Sequence, residues 1–214
     1  MPLDRATQVI AIRHGETDWN HETRIQGHSD IPLNAVGLAQ AQRVAQALQG
    51  ETVAAIYSSD LARARQTAEA IVAATGAPLQ LDAALRERAF GVFEGHTWRE
   101  IAQRWPVEAA RWRQRDLGFA ADGGGESLPT LSARCVGAVE RLARRHPGQS
   151  LIIVAHGGVM DCLYRASTRL ALDAPRSWTL GNASINRLLV SDEGFSLIGW
   201  NDDRHLDTLS LDEA

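Results

Sequence analysis

A three-layer α/β/α sandwich around a mostly parallel sheet follows from three short apolar runs, each ending abruptly at a polar or glycine-bearing loop and leading into a helix-period stretch. Val9 to Ile12 is the first run and stops at Arg13-His14-Gly15. Asn34 can then cap a helix from about Ala35 to Leu48, with Leu38, Ala41, Ala45 and Leu48 on one face and Gly50 as the stop. Val53 to Tyr57 is the second run, with Ser58 and Ser59 as caps of a helix from Leu61 to Ala74 that ends at Gly76 and Pro78. Leu151 to Ala155 is the third, followed by His156-Gly157-Gly158 and a helix through about Arg165. Ile185 to Val190, the turn Asp192-Glu193-Gly194 and Phe195 to Trp200 form a hairpin pattern that places an antiparallel strand at the sheet edge. The chain reads as one domain over 1–214, and 91–126 as an excursion from its core. Thr97-Trp98-Arg99-Glu100 is a capping box that opens a helix in that excursion. After Ser127 a second helix carries Leu128, Leu131, Cys135, Val139 and Leu142 on one stripe.

Composition narrows the function classes. With 214 residues, 44% apolar and 22% charged, the chain can bury a single core without disulfides or metal. A net charge of -4 gives no general attraction to nucleic acid or anionic lipid, so an anionic partner must be caught locally. All 22 basic residues are arginine. The missing lysine excludes phosphate-loop nucleotidases, pyridoxal enzymes and Schiff-base aldolases, whose chemistry needs an amine. Cys135 and Cys162 form no CxxC pair and read as buried free thiols. No apolar run reaches the length of a membrane span, and a cytoplasmic location is the default.

Ligands of open parallel sheets bind at the carboxyl ends of strands, where this chain delivers two histidines beside glycine, His14 and His156, and an arginine-bearing segment from Arg63. Two imidazoles and two guanidinium forks around one point make a phosphate site.

Arg13-His14-Gly15-Glu16-Thr17-Asp18-Trp19-Asn20 resembles the RHGE[ST]xxN signature of the histidine phosphatase superfamily, which includes the cofactor-dependent phosphoglycerate mutases. Arg63 to Ala68, Leu85-Arg86-Glu87 with Phe90-Gly91 and Glu94-Gly95, and Ala155 to Gly158 match the family's other blocks in order, so the resemblance runs from about 9 to 200. It implies a phosphoglycerate mutase-like fold, His14 as nucleophile, Arg13, Arg63 and His156 as phosphate clamp, Glu87 as proton donor, and phosphate contacts at Gly157 and Asn20. Asn20 reads equally as a loop turn. Imidazole is a competent nucleophile near neutral pH without a metal, fixed arginines and His156 can stabilise the transferring group, and a partly buried carboxylic acid can protonate the leaving alkoxide.

The expected activity is hydrolysis of a small phosphorylated metabolite through phospho-His14, with no cofactor and no metal. Phosphoglycerate mutation is the alternative within the same chemistry, ranked second because mutases carry additional basic substrate-holding segments that 91–126 does not match convincingly. An inert phospho-ligand-binding relative is the alternative outside it, disfavoured because His14, Arg13, Arg63, Glu87 and His156 are all present. Arg65 reads as structural; His21, His28, His96, His146 and His205 as solvated; Trp98, Trp105 and Trp112 as packing; and Arg99, Arg104, Arg111, Arg113 and Arg115 as a charged helix face. Asp122 to Ser127 resembles the family's GGES element, in a region that covers the active site in related proteins, so 91–126 is expected to cover it here; its glycines permit a tight turn before Ser127 caps the next helix. A homodimer is compatible with the sequence, which does not specify oligomeric state.

Overall fold

The computed structural model describes residues 5–210. Six strands form one sheet: β1 (Thr7–Arg13), β2 (Ala55–Ser58), β3 (Leu79–Leu81), β4 (Ser150–Ala155), β5 (Ile185–Ser191) and β6 (Gly194–Asp202), in the order β3-β2-β4-β1-β5-β6. Strands β1 to β4 pair in parallel, and β5 runs antiparallel to both β1 and β6. The antiparallel strand is therefore one position inside the edge, and the edge strand β6 runs in the direction of β1. β3 was not foreseen: a three-residue strand just after a proline carries too short a period to register.

Alternation along β1 explains the layering. Val9 and Ala11 face α6 (Leu128–Ala143) and α7 (Gly157–Thr168), in a cluster with Leu131, Cys135, Val139, Val159 and Leu163. Ile10 and Ile12 face the other way, toward Val44 and Leu48 at α2 (Ala35–Ala47) and Ala64, Ala68 and Ile71 of α3 (Ala62–Thr75). Strands covered on both faces are apolar throughout, as the three runs indicated. Both cysteines are free and buried between the helices of the first layer.

Two local expectations are corrected. The buried stripe of α2 is Gly37, Ala41, Val44 and Ala45, while Leu38 is 49% exposed. Glycine leads that stripe because the backbone of the 14–16 loop lies against it: a Cβ at Gly37 would stand 2.0 Å from the Glu16 carbonyl oxygen. Neither Ser58 nor Ser59 caps α3. Leu61 occupies the cap position, and Asp30 accepts the Ala62 N–H at 2.6 Å from a neighbouring loop.

The excursion contains α4 (Trp98–Arg104) and α5 (Pro106–Arg113), divided where Pro106 starts a new helix. Phe93, Ile101, Ala109, Phe119 and Ala121 form a small core there, packed by Trp98, Trp105 and Trp112. Arg113 lies over the Trp98 ring at 4.4 Å and Arg111 over Phe119 at 5.3 Å, so only part of the arginine series is a solvated face.

Gly37→Ala should cost about 1–3 kcal/mol, because the added methyl meets backbone that cannot swing aside. Urea unfolding of the purified variant measures this, and Leu38→Ala, at an exposed position of the same helix, should move the midpoint far less.

Candidate active site

The site is a consequence of strand register. Arg13 pairs with Ala155 at the carboxyl ends of β1 and β4, and the His14 N–H donates to the Ala155 carbonyl at 3.0 Å. The next residues on the two strands, His14 and His156, are thereby neighbours, with ring centroids 5.1 Å apart. Both are buried, at 3% and 0% exposure. Nδ1 of His14 donates to the Gly15 carbonyl at 2.7 Å, leaving its Nε2 unprotonated. Nδ1 of His156 accepts from Arg63 Nε at 3.2 Å, so its proton sits on Nε2, which is buried without a partner among the described residues.

Arg63 reaches the histidines from the first turn of α3 with no solvent exposure. Its two terminal nitrogens donate to Ser29 O at 2.9 Å and Gly27 O at 2.8 Å. That loop is tied down by Glu94, which accepts from His28 N, Ser29 N, Ser29 Oγ and Phe90 N. Burial pulls the Arg63 pKa down to about 10, still charged at neutral pH. Arg13 donates from Nη1 to Leu180 O at 2.7 Å, and its buried Nε has no partner. Arg65, two positions on, turns outward toward Glu69 at 3.7 Å.

Glu87 stands against the N-terminus of α7. Its carboxyl oxygens each accept from Gly158 N at 3.0 Å, and Oε1 also accepts from Arg88 N at 2.7 Å. A Cβ on Gly158 would come within 2.3 Å of Oε1, so a side chain there is incompatible with the acid's position. A Cβ on Gly157 would meet Glu87 Oε2 at 3.7 Å and Arg13 Nε at 3.8 Å, which places this glycine between them. His14, His156, Arg13, Arg63, Glu87 and Gly157 are thus brought together.

Asn20 is placed by its carbonyl: Oδ1 accepts from Thr17 N, Thr17 Oγ1 and Asn182 Nδ2, closing the capping box of α1 (Asp18–His21). The loop-turn reading describes that oxygen.

Several residues of the site were not foreseen. Asn182 Nδ2 donates to His14 O at 3.0 Å and Gly15 O at 3.3 Å, and Thr67 Oγ1 accepts from Gly15 N at 3.1 Å. Arg134 donates to Ala84 O, Arg86 O and Glu87 O while bidentate to Glu126 at 2.9 and 2.7 Å, so it fixes the segment that carries Glu87. Its only sequence signal was its place beside the apolar stripe of α6. Among the histidines read as solvated, His28 donates to Glu87 O at 2.8 Å, His146 meets Tyr57 Oη at 2.8 Å and His205 donates to Ala183 O at 3.0 Å. Arg115 also departs from its expected place and bridges Asp161 and Leu172 O. Among the described residues no three His, Cys, Asp or Glu side chains gather as a metal-ligand set, and no helix is long and apolar enough to cross a membrane.

The sequence model of the histidine phosphatase superfamily (branch 1) matches residues 9–203, and the chain belongs to that family. It is 36% identical over 207 residues to a metal-independent phosphoserine phosphatase of Arabidopsis thaliana, covering 96% of this chain and 85% of that one. It is 37% identical over 214 residues to a probable phosphoglycerate mutase of Salmonella typhi, covering 96% and 98%. The structure of a phosphoserine phosphatase from Entamoeba histolytica in complex with 3-phosphoglyceric acid superposes with a TM-score of 0.84 at 30% identity, over 94% of this chain and 99% of that one.

Desolvation, reinforced by Arg63 and Arg13, holds both His14 and His156 well below the ordinary 6.5. The unfolded chain therefore binds protons that the folded one refuses, and stability is full above 6.5 and lost as pH falls below it. Each histidine should contribute about 1.4 kcal/mol per pH unit in that range. Urea unfolding from pH 7 to 5 should show the slope, and His156→Gln should reduce it by close to one proton.

Proposed function

We propose that the protein hydrolyses phosphomonoesters of small metabolites through a phosphohistidine on His14, an assignment carried by the unprotonated Nε2 of His14 beside the unpartnered N–H of His156 and the buried guanidinium of Arg63. His14 Nε2 attacks phosphorus in line with the ester oxygen. The P–O bond breaks as the N–P bond forms, and Glu87 gives its proton to the departing alkoxide. Arg13 Nε, Arg63 and His156 Nε2–H hold the charge spread over the equatorial oxygens. Water then attacks phospho-His14, Glu87 takes its proton, and phosphate leaves with the histidine restored. Gly157, at the amino end of α7, offers a backbone N–H toward the same anion.

The excursion 91–126 is tied to this centre by bonds that include Arg88 to Glu126 O, Arg134 to Glu126, and Glu94 to His28 and Ser29, and we assign it to the cover of the substrate space within one domain. The metal-free scheme agrees with the phosphoserine phosphatase relative, and the mutase relative keeps phosphate return to a second hydroxyl as the competing fate of phospho-His14. A cytoplasmic setting suits free thiols such as Cys135 and Cys162.

Rapid quench with labelled substrate should trap an acid-labile, base-stable phosphoprotein that is absent in His14→Ala, with the rate indifferent to chelators. Phosphate on serine or aspartate would overturn the assignment. Supplying 3-phosphoglycerate with 2,3-bisphosphoglycerate should release phosphate; isomer formation without release would establish the mutase. Arg134→Ala should lower kcat about tenfold, or about 1.4 kcal/mol, for an alkyl phosphate whose leaving group needs a proton. The loss should be smaller for p-nitrophenyl phosphate, whose leaving group does not.

A further inference from the structure

Beside the phosphate site lies a second collection of guanidinium groups that the chemistry above does not use. Arg165 of α7 is 1% exposed, donates from Nε to Asp161 Oδ2 at 2.9 Å and from Nη1 to Ala171 O, and leaves Nη2 buried with no partner. Arg115 crosses from the end of the excursion to the same Asp161 oxygen at 2.8 Å. Arg176 sits in the loop between α7 and β5. It donates from Nε to Trp178 O at 3.2 Å and, among the described residues, has no carboxylate within ion-pair distance. Trp178 lies between two of these arginines, at 4.8 Å from Arg165 and 5.8 Å from Arg176, and its buried indole N–H is also unpartnered.

Three arginines against one aspartate leave an excess of two positive charges, and among the described residues the cluster keeps buried donors without partners at Arg165 Nη2 and Trp178 Nε1 beside one unpartnered acceptor, Asp161 Oδ1. Native structures rarely leave such donors unmet unless water or a ligand meets them. The same mark, an unpartnered buried donor, identifies the phosphate site at Arg13 Nε and His156 Nε2.

The cluster adjoins that site on two sides. Asp161 is one helical turn beyond Gly157 on α7, a rise of about 6 Å. Trp178 and Arg176 precede Leu180, whose carbonyl holds Arg13 at 2.7 Å. Arg176 is close enough to Arg13 for its charge to be felt there, as Arg115 is to Arg88, the neighbour of Glu87. An anion bound between Arg176 and Arg115 would thus lie on the Leu180 and α7 side of a phosphate held by Arg13 and His14.

The geometry points to a carboxylate subsite at Arg176 and Arg115, backed by the buried charge of Arg165, that selects phosphomonoesters bearing a carboxylate a few bonds from the phosphate. Guanidinium is the group suited to this, since its planar fork pairs with carboxylate through two parallel hydrogen bonds. Asp161 gathers Arg115 and Arg165 onto one carboxylate oxygen. The inference rests on the hydrolase reading and adds the second group that the substrate carries.

The test compares 3-phosphoglycerate with glycerol 3-phosphate, which replaces the carboxylate by a hydroxymethyl group, in wild type, Arg176→Ala, Arg176→Lys and Arg115→Gln. Wild type should favour 3-phosphoglycerate in kcat/KM by at least tenfold, chiefly through KM. Arg176→Ala should reduce that ratio tenfold or more, and Arg115→Gln should reduce it less. Arg176→Lys should retain part of the preference, because it keeps the charge and loses the fork. A wild-type ratio near one, or a ratio untouched in Arg176→Ala, would overturn the subsite while His14-dependent hydrolysis of p-nitrophenyl phosphate would leave the hydrolase reading standing. Release of phosphate from none of the three esters would remove both.

Discussion

A guanidinium sealed from solvent must be given acceptors on every side, and the burial of Arg63 imposes that demand on the site. Its acceptors come from unrelated parts of the chain: two loop carbonyls at Gly27 and Ser29, and an imidazole nitrogen at the end of β4. Satisfying Arg63 therefore fixes the loop, and the need to hold the loop explains why Glu94 spends its carboxylate on backbone and hydroxyl donors. It also decides the tautomer of His156, which decides where that ring can donate. A single buried cation turns three loosely connected segments into one rigid receptor.

Glu87 acts on both site arginines, and Asp30 and Glu94 act on Arg63 as well. Arg13 and Arg63 remain charged, both imidazoles are driven neutral by burial and by those same arginines, and the buried donors of Arg13 and His156 have nothing to bind. Under the proposed hydrolase reading, the phosphoryl oxygens are the acceptors for those two donors. The environment that makes the site a poor place for an imidazolium keeps a ring nitrogen of His14 unprotonated, the state that the proposed chemistry requires.

The sequence made the architecture legible wherever one residue pattern had one physical meaning. Apolar runs stopping at Arg13, Ser58 and His156 marked strands with both faces covered, and Gly76 ended α3 in the left-handed conformation that glycine accepts readily. Leu38 was misplaced because helical periodicity alone cannot tell that a bare backbone, Gly37, is what the neighbouring loop requires. Ser58 and Ser59 were natural caps for α3, yet Asp30 took the task from across the fold, which local rules do not anticipate. Among site residues, the histidines and arginines proposed to hold the phosphoryl group were visible through their clustering at strand ends. Asn182 and Arg134 were not, since both act by binding main-chain carbonyls, and a carbonyl has the same appearance at every position of a sequence.

The position of β1 has a consequence for how the protein comes into being. The first of the described strands lies between β4 and β5, which begin only at Ser150 and Ile185, with Arg13 facing Ala155 and Ile12 facing Ile185. A ribosome therefore releases His14 long before the partners that bury it exist, and the amino-terminal half can assemble only the β2–β3 side of the sheet while it waits. Pairings of such long sequence separation are slow to form and leave apolar strands exposed meanwhile. The site at His14 thus cannot form until β4 and β5 have both emerged, and a chain cut short before β5 would carry the signature motif without the strand that flanks it.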